Sequence, residues 1–241
     1  MSIINHVPIV RIKQLSSIKE QNLAIEIFKN TWGSHDSSEI TPNLLQAMVY
    51  SGAYLSGAFI ESKCVGAAFA FPATYGGLHL HSHMTAVLPS FRDSGIGFAL
   101  KTDQFNWAKK NNYSAITWTY DPLVLRNARF NILKIGVDVV AYYPNFYGKL
   151  DDLLNVSDES DRLLVSWNLE IKRLGSNKLI SKPKKNDVLI QIPNDIVSMR
   201  GINTSQSRIW RIKVREQFTD SFTKGGKVIG LSVNNEYVIR I

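Results

Sequence analysis

The chain has 241 residues, of which 44% are hydrophobic and 20% are charged, a composition typical of a soluble globular protein with a sizeable core. No segment approaches the roughly 18 to 20 uncharged apolar residues that a membrane span requires, and the first residues, MSIINHVPIVRIK, lack the pattern of a signal peptide. We therefore expect a cytoplasmic protein with no membrane partner. The single cysteine, Cys64, excludes an internal disulfide and a multi-cysteine metal site.

The net charge of +8 comes from the last part of the chain. Residues 172–241 contain 14 Lys or Arg against 5 Asp or Glu, whereas residues 1–171 contain 14 against 15. This asymmetry predicts a first domain over residues 1–171, a basic linker over 172–185 and a small C-terminal α/β extension over 186–241. Because no aromatic or RNA-binding motif accompanies the basic residues, a solvated linker is favoured over a nucleic-acid partner.

The first domain is predicted to begin with a strand and two helices. PIVRIKQL alternates like a strand, and Ser16 or Ser17 is expected to cap a helix that ends at Gly33. Thr41 and Pro42 are expected to start the second helix. Three strands follow, over AYLSGAFIE, CVGAAFAFPATYGG and LHLHSHMTAVL.

Helices and strands then alternate. Residues 95–112 have the apolar stripe of a helix, SAITWTY is a predicted strand, and LVLRNARFNILKIG is a predicted helix that ends at Gly136. Two more strands are predicted over VDVVAYYPNFYG and DRLLVSWNLE. The order β-α-α-β-β-β-α-β-α-β-β indicates an α/β fold with a mixed sheet.

The extension is predicted to contain a strand, VLIQIP, a helix around SQSRIWRIKVREQFTDSF, and two strands, KVIGLSV and EYVIRI. On that helix, Arg208, Arg211 and Arg215 recur at intervals of three and four residues. We expect them to form a solvated cationic face opposite Ile209, Ile212 and Val214.

The segment richest in chemical signals joins LHLHSHMTAVL to the next helix. In the run Arg92-Asp93-Ser94-Gly95-Ile96-Gly97, backbone N–H groups and the positive end of a helix dipole converge on one concavity, which suits a phosphate. Gly95 and Gly97 permit positive φ and a close approach of the ligand. The run is neither a Walker loop nor a dinucleotide fingerprint, because it lacks the Gly-Lys-Ser/Thr of the first and the third glycine of the second.

AVLPSFRDSGIGFAL resembles the signature of the GNAT superfamily of acyl-CoA-dependent N-acyltransferases, an Arg/Gln-x-x-Gly-x-Gly/Ala turn preceded by Val-x-Pro. The predicted order of elements over residues 8–171 is similar to the GNAT fold. ITWTYDPLVLRNARFNILKIG, YYPNFYG and DRLLVSWNL also resemble a GNAT subgroup with a C-terminal extension. The resemblance implies a GNAT-like fold and acetyl-CoA or another acyl-CoA as cosubstrate, with no metal expected. Asp93 departs from the pattern, because GNATs often have glycine there.

The resemblance also implies which residues bind coenzyme A. The backbone amides of the turn would hold the pyrophosphate, and main-chain groups of the preceding strand would pair with the pantetheine. Asn127 and Asn131, one helical turn apart, would face the cofactor or cap the substrate pocket. The expected cofactor-binding residues are therefore Thr85, Ala86, Val87, Arg92, Asp93, Ser94, Gly95, Ile96, Gly97, Asn127 and Asn131.

Two histidines are the expected catalytic bases. His81 and His83 match a His-x-His of the arylalkylamine N-acetyltransferases when Val87 is aligned, and many other GNATs have a glutamate base at the position of His81. A lysine-like amine has a pKa near 10 and must lose a proton, which an imidazole can accept. His79, His81 and His83 share one face of the strand, so a metal site and a purely structural ladder are alternatives. His79, farthest from the turn, is expected to be structural.

The general acid is less clearly marked. Many GNATs carry a tyrosine four residues before the glycine that ends the fourth helix, and Ile132 stands at that position here. Tyr147 is the expected substitute, and the alternatives are Tyr120, Tyr142 and Tyr143. Asp121 could bind an ammonium group or form an ordinary Asp-Pro turn.

These patterns predict an N-acyltransferase in which an amine attacks the thioester directly, with a small-molecule amine favoured over a protein lysine as acceptor. The alternative is a non-catalytic acyl-CoA-sensing or nucleic-acid-binding protein that uses the basic C-terminal region. The identity of the amine, the acyl chain and the formation of a homodimer stay open.

Overall fold

The computed structural model describes residues 9–33, 40–150, 152, 155, 158–170 and 178–241. They form two compact units, one ending at Ile116 and the other beginning at Thr117. The predicted domain boundary at residue 171, and residues 172–177 of the predicted linker, lie outside the described residues. No helix in the described part of the chain is long and apolar enough to cross a membrane.

The first unit contains the first elements in the predicted order. They are β1 (Val10–Gln14), α1 (Ile18–Trp32), α2 (Pro42–Tyr50), β2 (Tyr54–Ile60), β3 (Lys63–Ala73), β4 (His79–Val87), α3 (Ile96–Lys110) and the start of β5 (Ala115–Tyr120). β1 to β4 pair in sequence order, and each pair is antiparallel. The GNAT-like order expected for this part of the chain is confirmed.

The helix boundaries follow local sequence signals. Ser17 Oγ accepts a hydrogen bond from the Glu20 N–H, and the Glu20 carboxylate accepts one from the Ser17 N–H, which together form a capping box. Gly33 ends α1 with a φ of 95°, and Thr41 caps α2 with Pro42 at its first position. The predicted ends of both helices are confirmed at these residues.

The core of the first unit packs α1 and α2 against one face of the sheet. Its buried apolar side chains include Leu15, Ala24, Ile25, Ile27, Phe28, Leu45, Leu55, Phe59, Ala67, Phe69 and Ala86. The helix α3 packs on the other face, where a Cβ added to Gly66 would lie 3.3 Å from side-chain carbons of Ile96 and Leu100. The absence of a side chain at Gly66 therefore lets the first turns of α3 lie close to the sheet.

The second unit combines the remaining elements of the first predicted domain with the extension. They are α4 (Leu125–Ala128), β6 (Asp138–Tyr143), β7 (Arg162–Asn168), β8 (Leu179–Ile180), β9 (Val188–Ile190), α5 (Ile196–Ile202), α6 (Thr204–Thr223), β10 (Lys227–Ser232) and β11 (Tyr237–Arg240). β5, β7 and β6 are neighbours in that order, and a separate sheet has the order β8-β10-β11-β9. The short elements β8 and α5 were not predicted.

The predicted helix before Gly136 differs from expectation in its geometry. It starts at Leu125 as α4 and continues over Arg129–Ile135 as a π-helix. The Gly136 N–H donates to the Asn131 carbonyl, five residues earlier, and Gly136 adopts the left-handed conformation with a φ of 86°. Gly136 therefore ends the helix as predicted, but the last turn is wider than an α-helical turn.

The prediction of a solvated cationic face on α6 is wrong for two of its three arginines. Arg211 is 1% exposed and donates to both carboxylate oxygens of Asp121, at 2.9 and 2.8 Å. Arg215 donates to Asp161 at 2.7 Å. Ile212, expected on the buried side, is 42% exposed. Arg211 and Arg215 therefore face carboxylates that are distant in sequence, which the periodicity of the helix's own residues does not reveal.

These side chains belong to an arginine–carboxylate cluster, which we define as Arg162, Arg200, Arg211, Arg215, Asp121, Asp158, Glu159 and Asp161. It contains as many acids as arginines. Burial alone would raise the pKa of Asp121, but the charges of Arg211, Arg200 and Arg162 hold that pKa well below its ordinary value. The cluster therefore binds α5 and α6 to the end of β5 and to the segment before β7.

Candidate functional site

The connection from β4 to α3 has the backbone expected of an anion-binding turn. A 3-10 segment, Pro89–Phe91, precedes Asp93 and Gly95, which have φ values of 61° and 85°. No side chain caps α3, and a Cβ added to Gly95 would meet no described atom within 4 Å. The first N–H groups of a helix lack intrahelical acceptors and carry the positive end of its dipole. This open helix start therefore fits a phosphate group.

The side chains of the turn are compatible with that ligand. Arg92 Nε donates to the Val87 carbonyl at 3.3 Å, and Ser94 Oγ donates to the Phe91 carbonyl at 2.5 Å, so both side chains brace the turn. The carboxylate of Asp93 is exposed. Because this carboxylate faces water, Asp93 is tolerable beside a pyrophosphate, although GNATs often have glycine at this position.

The strand before the turn is regular at its end and irregular in its middle. Residues 85–87, expected to pair with the pantetheine, lie opposite residues 68–66 of β3. Further back, Met84 lies opposite Phe69 and Ser82 lies opposite Ala70, so His83 is an extra residue without a partner in the ladder. Such a β-bulge redirects a side chain locally and is common beside active sites.

The two predicted bases lie together around one phenyl ring. The ring centroids of His81 and His83 lie 5.4 and 5.8 Å from that of Phe71, and the centroid of His83 lies 6.5 Å from that of Phe69. His81 is half-buried and His83 is exposed. We call Phe69, Phe71, His81 and His83 the imidazole–phenyl group.

Their surroundings keep these imidazoles neutral. Burial lowers the pKa of His81 to about 4, and the nearby His83, His79 and Lys101 lower it further in the same direction. Neighbouring atoms also crowd the ring of His83 and lower its pKa through partial desolvation, although the ring reaches the surface. Both rings are therefore free of a proton at pH 7 and can accept one. His79 Nδ1 lies 2.7 Å from the Gly77 carbonyl, which supports a structural role for that histidine.

A polar group behind β4 was missed by the sequence reasoning. Lys101 is 3% exposed and donates to Ser82 Oγ at 3.1 Å and to Gln104 Oε1 at 2.8 Å. Burial lowers the pKa of Lys101 well below its ordinary value. The signal was present, because Gln104 continues the buried i, i+4 row of Ile96 and Leu100 on α3.

The other predicted site residues belong to the second unit. The Tyr147 hydroxyl lies 3.2 Å from Thr119 Oγ1, and the Arg162 guanidinium lies 5.4 Å from the centre of the Tyr147 ring. Asn131 is 4% exposed, and its Oδ1 accepts a hydrogen bond from the Trp118 indole at 3.1 Å. Asn127 is half-buried on α4.

The alternative acids have packing partners in this unit. The Tyr142 hydroxyl donates to Asp161, and the Tyr120 hydroxyl lies 3.2 Å from that of Tyr237. Burial raises the pKa of both Tyr120 and Tyr142. Asp121 binds arginines of the cluster, so the suggestion that it binds a substrate ammonium is not supported. Tyr143 is 37% exposed and is not set apart in this way, and Tyr147 stays a prediction.

No described group of three His, Cys, Asp or Glu side chains is placed to hold a metal ion.

Comparisons with known proteins agree with this geometry. Residues 21–130 match the sequence model of the Acetyltransferase (GNAT) family. No curated protein matches the chain significantly. A solved structure of a probable acetyltransferase from Staphylococcus epidermidis is 16% identical with a TM-score of 0.53, and the match covers 66% of this chain and 99% of that one.

Two further solved structures are similar. The ribosomal-protein-S18-alanine N-acetyltransferase from Escherichia coli is 14% identical, with a TM-score of 0.52 and coverage of 70% of this chain and 98% of that one. Arabidopsis thaliana Naa50, solved with the bisubstrate analogue CoA-Ac-MVNAL, is 19% identical, with a TM-score of 0.51 and coverage of 66% and 98%. Such identities establish the fold. That fold is the mixed α/β fold of these acetyltransferases, and the match to the GNAT family model covers residues 21–130.

Proposed function

We propose that the protein is an N-acyltransferase that transfers an acetyl or other acyl group from acyl-CoA to an amine by direct attack. One observation carries this proposal: the open, uncapped start of α3 directly follows the strand that bears two neutral imidazoles. An anion-binding turn and two proton acceptors thus lie within one strand–turn–helix segment. The match to the GNAT family model over residues 21–130 supports the same reaction.

The cosubstrate would be held mainly by backbone groups. Amides of residues 92–97 would bind the pyrophosphate, and main-chain groups of residues 85–87 would pair with the pantetheine. Asn127 and Asn131 are proposed to contribute side chains, and Asn131 would offer its Nδ2 donors because its Oδ1 accepts from Trp118. When bound, acyl-CoA supplies an electrophilic thioester carbon.

The side chains of the chain would manage the proton and the orientation of the amine. His81 or His83 would accept the proton that the amine nitrogen loses, a role that typically contributes about 10²- to 10⁴-fold in rate. Tyr147, whose hydroxyl contacts Thr119, would protonate the departing sulfur. Positioning of the amine and strand amides facing the developing oxyanion would supply much of the remaining acceleration.

The favoured acceptor is a small-molecule amine. A protein N-terminus is the alternative suggested by the S18-alanine enzyme and by Naa50 with its peptide-bearing analogue. Nucleic-acid binding has less support, because Arg200, Arg211 and Arg215 of the basic extension bind carboxylates of the cluster. We retain the proposals of a first domain over residues 1–171, an extension over 186–241 and a cytoplasmic protein.

Release of free thiol from acetyl-CoA in the presence of an amine panel tests the function. We expect amine-dependent release that the double variant His81→Ala, His83→Ala reduces by about 10²-fold or more, because it removes both proposed bases. His79→Ala is the matched control, since His79 contacts Gly77, and should keep near-normal activity. Normal activity in the double variant would show that neither histidine is the base.

A further inference from the structure

The imidazole–phenyl group presents an aromatic surface. The Phe71 ring contacts both His81 and His83, with centroid distances of 5.4 and 5.8 Å. Phe71 is only half-buried, and the bulge at His83 brings that ring to the surface beside it. Aromatic rings favour offset or edge contacts with centroids about 4.5 to 7 Å apart. The surface therefore matches a flat aromatic group better than an alkyl chain.

The titratable groups around His81 disfavour the binding of an acceptor that carries a positive charge. His83, His79 and Lys101 lower the pKa of His81, and none of these three groups can supply a negative charge. Lys101 lies behind the strand, and its donation to Ser82 places it next to the residue that joins His81 to His83. An ammonium group beside this half-buried ring would lose hydration and gain no negative charge from these three groups in return, although a contact with the Phe71 face would offset part of that cost.

The low pKa of His81 also disfavours a strongly basic amine as acceptor. A pKa of about 4 makes proton transfer from an alkyl ammonium with a pKa near 10 unfavourable by about a million-fold. A nitrogen that is already neutral at pH 7 needs no such transfer before attack. After attack the same nitrogen carries a positive charge and becomes a strong acid, which even a weak base can deprotonate.

We propose, resting on the acyltransferase function above, that the acceptor is a weakly basic nitrogen next to an aromatic ring, of the arylamine or aryl hydrazide class, whose ring packs on Phe71 beside His81 and His83. This substrate class fits the ring contacts, the neutral imidazoles and the basic groups around His81.

The reaction balances as a simple acyl transfer. The lone pair of the neutral nitrogen forms a bond to the thioester carbon, and the carbon–sulfur bond breaks with its electron pair on sulfur. The proton that the nitrogen loses goes to His81 or His83, and the sulfur takes a proton from Tyr147 or water. The products are the N-acylated aryl compound and coenzyme A with a free thiol, and no oxidant or reductant is required.

Four acceptors separate the contribution of the ring from that of basicity. Benzhydrazide has a ring and a weakly basic nitrogen, benzylamine a ring and a strongly basic one, acetohydrazide no ring and a weakly basic nitrogen, and ethylamine neither feature. Thiol release from acetyl-CoA at pH 7 gives kcat/KM for each with the full-length protein. We expect benzhydrazide to exceed benzylamine by about tenfold or more, because about one alkyl amine in a thousand is neutral at pH 7.

The variant Phe71→Leu tests the ring contact. It should lower kcat/KM for benzhydrazide by about 2- to 10-fold more than kcat/KM for acetohydrazide, the value of an aromatic contact. Tyr75→Leu is the matched control, since Tyr75 is 94% exposed in the loop after β3, and should change neither acceptor.

The outcomes distinguish the two proposals. If benzylamine or ethylamine is acylated as fast as benzhydrazide, or if Phe71→Leu affects all four acceptors equally, the substrate class is wrong and the acyltransferase function stands. If acetyl-CoA releases no thiol with any of the four or with the wider amine panel, the function itself is wrong and the substrate class falls with it.

Discussion

The two units of the protein bury positive charge in different surroundings. In the first unit, Lys101 is 3% exposed and donates to the neutral oxygens of Ser82 and Gln104. In the second, Arg211 is 1% exposed and donates to the carboxylates of Asp121 and Asp158.

The pKa values show what that difference means. Burial lowers the pKa of Lys101 well below its ordinary value, whereas the carboxylates raise the pKa of Arg211 although burial opposes them. Neutral dipoles do not offset the loss of water around a cation, and carboxylates do. Ion pairing thus stabilises the charge of Arg211 in the second unit, whereas burial disfavours the charged form of Lys101 in the first.

Breaking the cluster at Asp121 should have the largest effect. Asp121→Asn should lower the free energy of unfolding by about 3 to 5 kcal/mol, because Arg200 and Arg211 would stay buried without that carboxylate. Urea titration at pH 7 measures the change. A loss below about 1 kcal/mol would mean that the remaining carboxylates neutralise both arginines.

The same carboxylate should make the protein sensitive to acid. Its pKa in the folded protein lies below the ordinary value of about 3.9, so its contribution is complete above that pH and is lost as the pH falls through the folded value. The wild type should therefore lose more stability than Asp121→Asn between about pH 5 and pH 3. Parallel acid titrations of the two proteins would contradict this.

Replacing the buried Lys101 by an apolar residue should stabilise the first unit. Lys101→Met should raise the free energy of unfolding at pH 7 by about 1 to 3 kcal/mol, as replacement of buried charges by apolar side chains often does. Because the unfolded lysine keeps a pKa near 10.4 and the folded one does not, the wild type should gain stability as the pH rises towards that value. The variant should lack this gain. Urea titrations at pH 7 and pH 9 measure both effects, and a destabilised variant with an unchanged pH slope would refute the interpretation.

Replacing Arg215, at the partly exposed end of the cluster, should cost less stability than replacing Asp121. Arg215 is 26% exposed in its side chain and binds Asp161 and Glu159. Arg215→Met should cost about 1 to 3 kcal/mol, since Asp161 keeps the hydrogen bonds from Tyr142 and from the Asn145 N–H. Thermal or urea unfolding measures this cost, which should lie below that of Asp121→Asn. An equal or larger loss would place the centre of the cluster at Asp161.

A solvated ion pair should contribute least. Asp220 and Lys224 form an i, i+4 pair on α6 with side chains 63% and 57% exposed. Asp220→Asn should change the free energy of unfolding by about 0.5 kcal/mol or less, so it also serves as the matched control for Asp121→Asn. If the two substitutions had similar effects in urea, burial would not explain the contrast between the pairs.

Features encoded within a few residues could be predicted from the sequence. The capping box of Ser17 and Glu20 spans four residues, and the left-handed Gly136 directly follows its helix. The turn before α3 could be predicted for the same reason, because Gly95 and the helix that it opens are adjacent.

Features that depend on residues distant in sequence could not be predicted. Arg211 lies 90 residues from Asp121, so the spacing of arginines along α6 favoured a solvated face and contained no information about the acid. The bulge at His83 depends on the register between β3 and β4, and strict alternation of the three histidines predicted a regular strand instead. The polar group of Lys101, Ser82 and Gln104 likewise forms across two elements.

The bulge has a consequence for how this strand could evolve. Ser82 and Met84 lie opposite Ala70 and Phe69, which are consecutive, so deletion of His83 would leave the pairing on either side in register. A bulge residue without a partner in the ladder can be inserted, deleted or substituted while the pairing of β3 with β4 on either side of it persists. The strand therefore contains a position at which a residue can be inserted or deleted without redesign of the sheet.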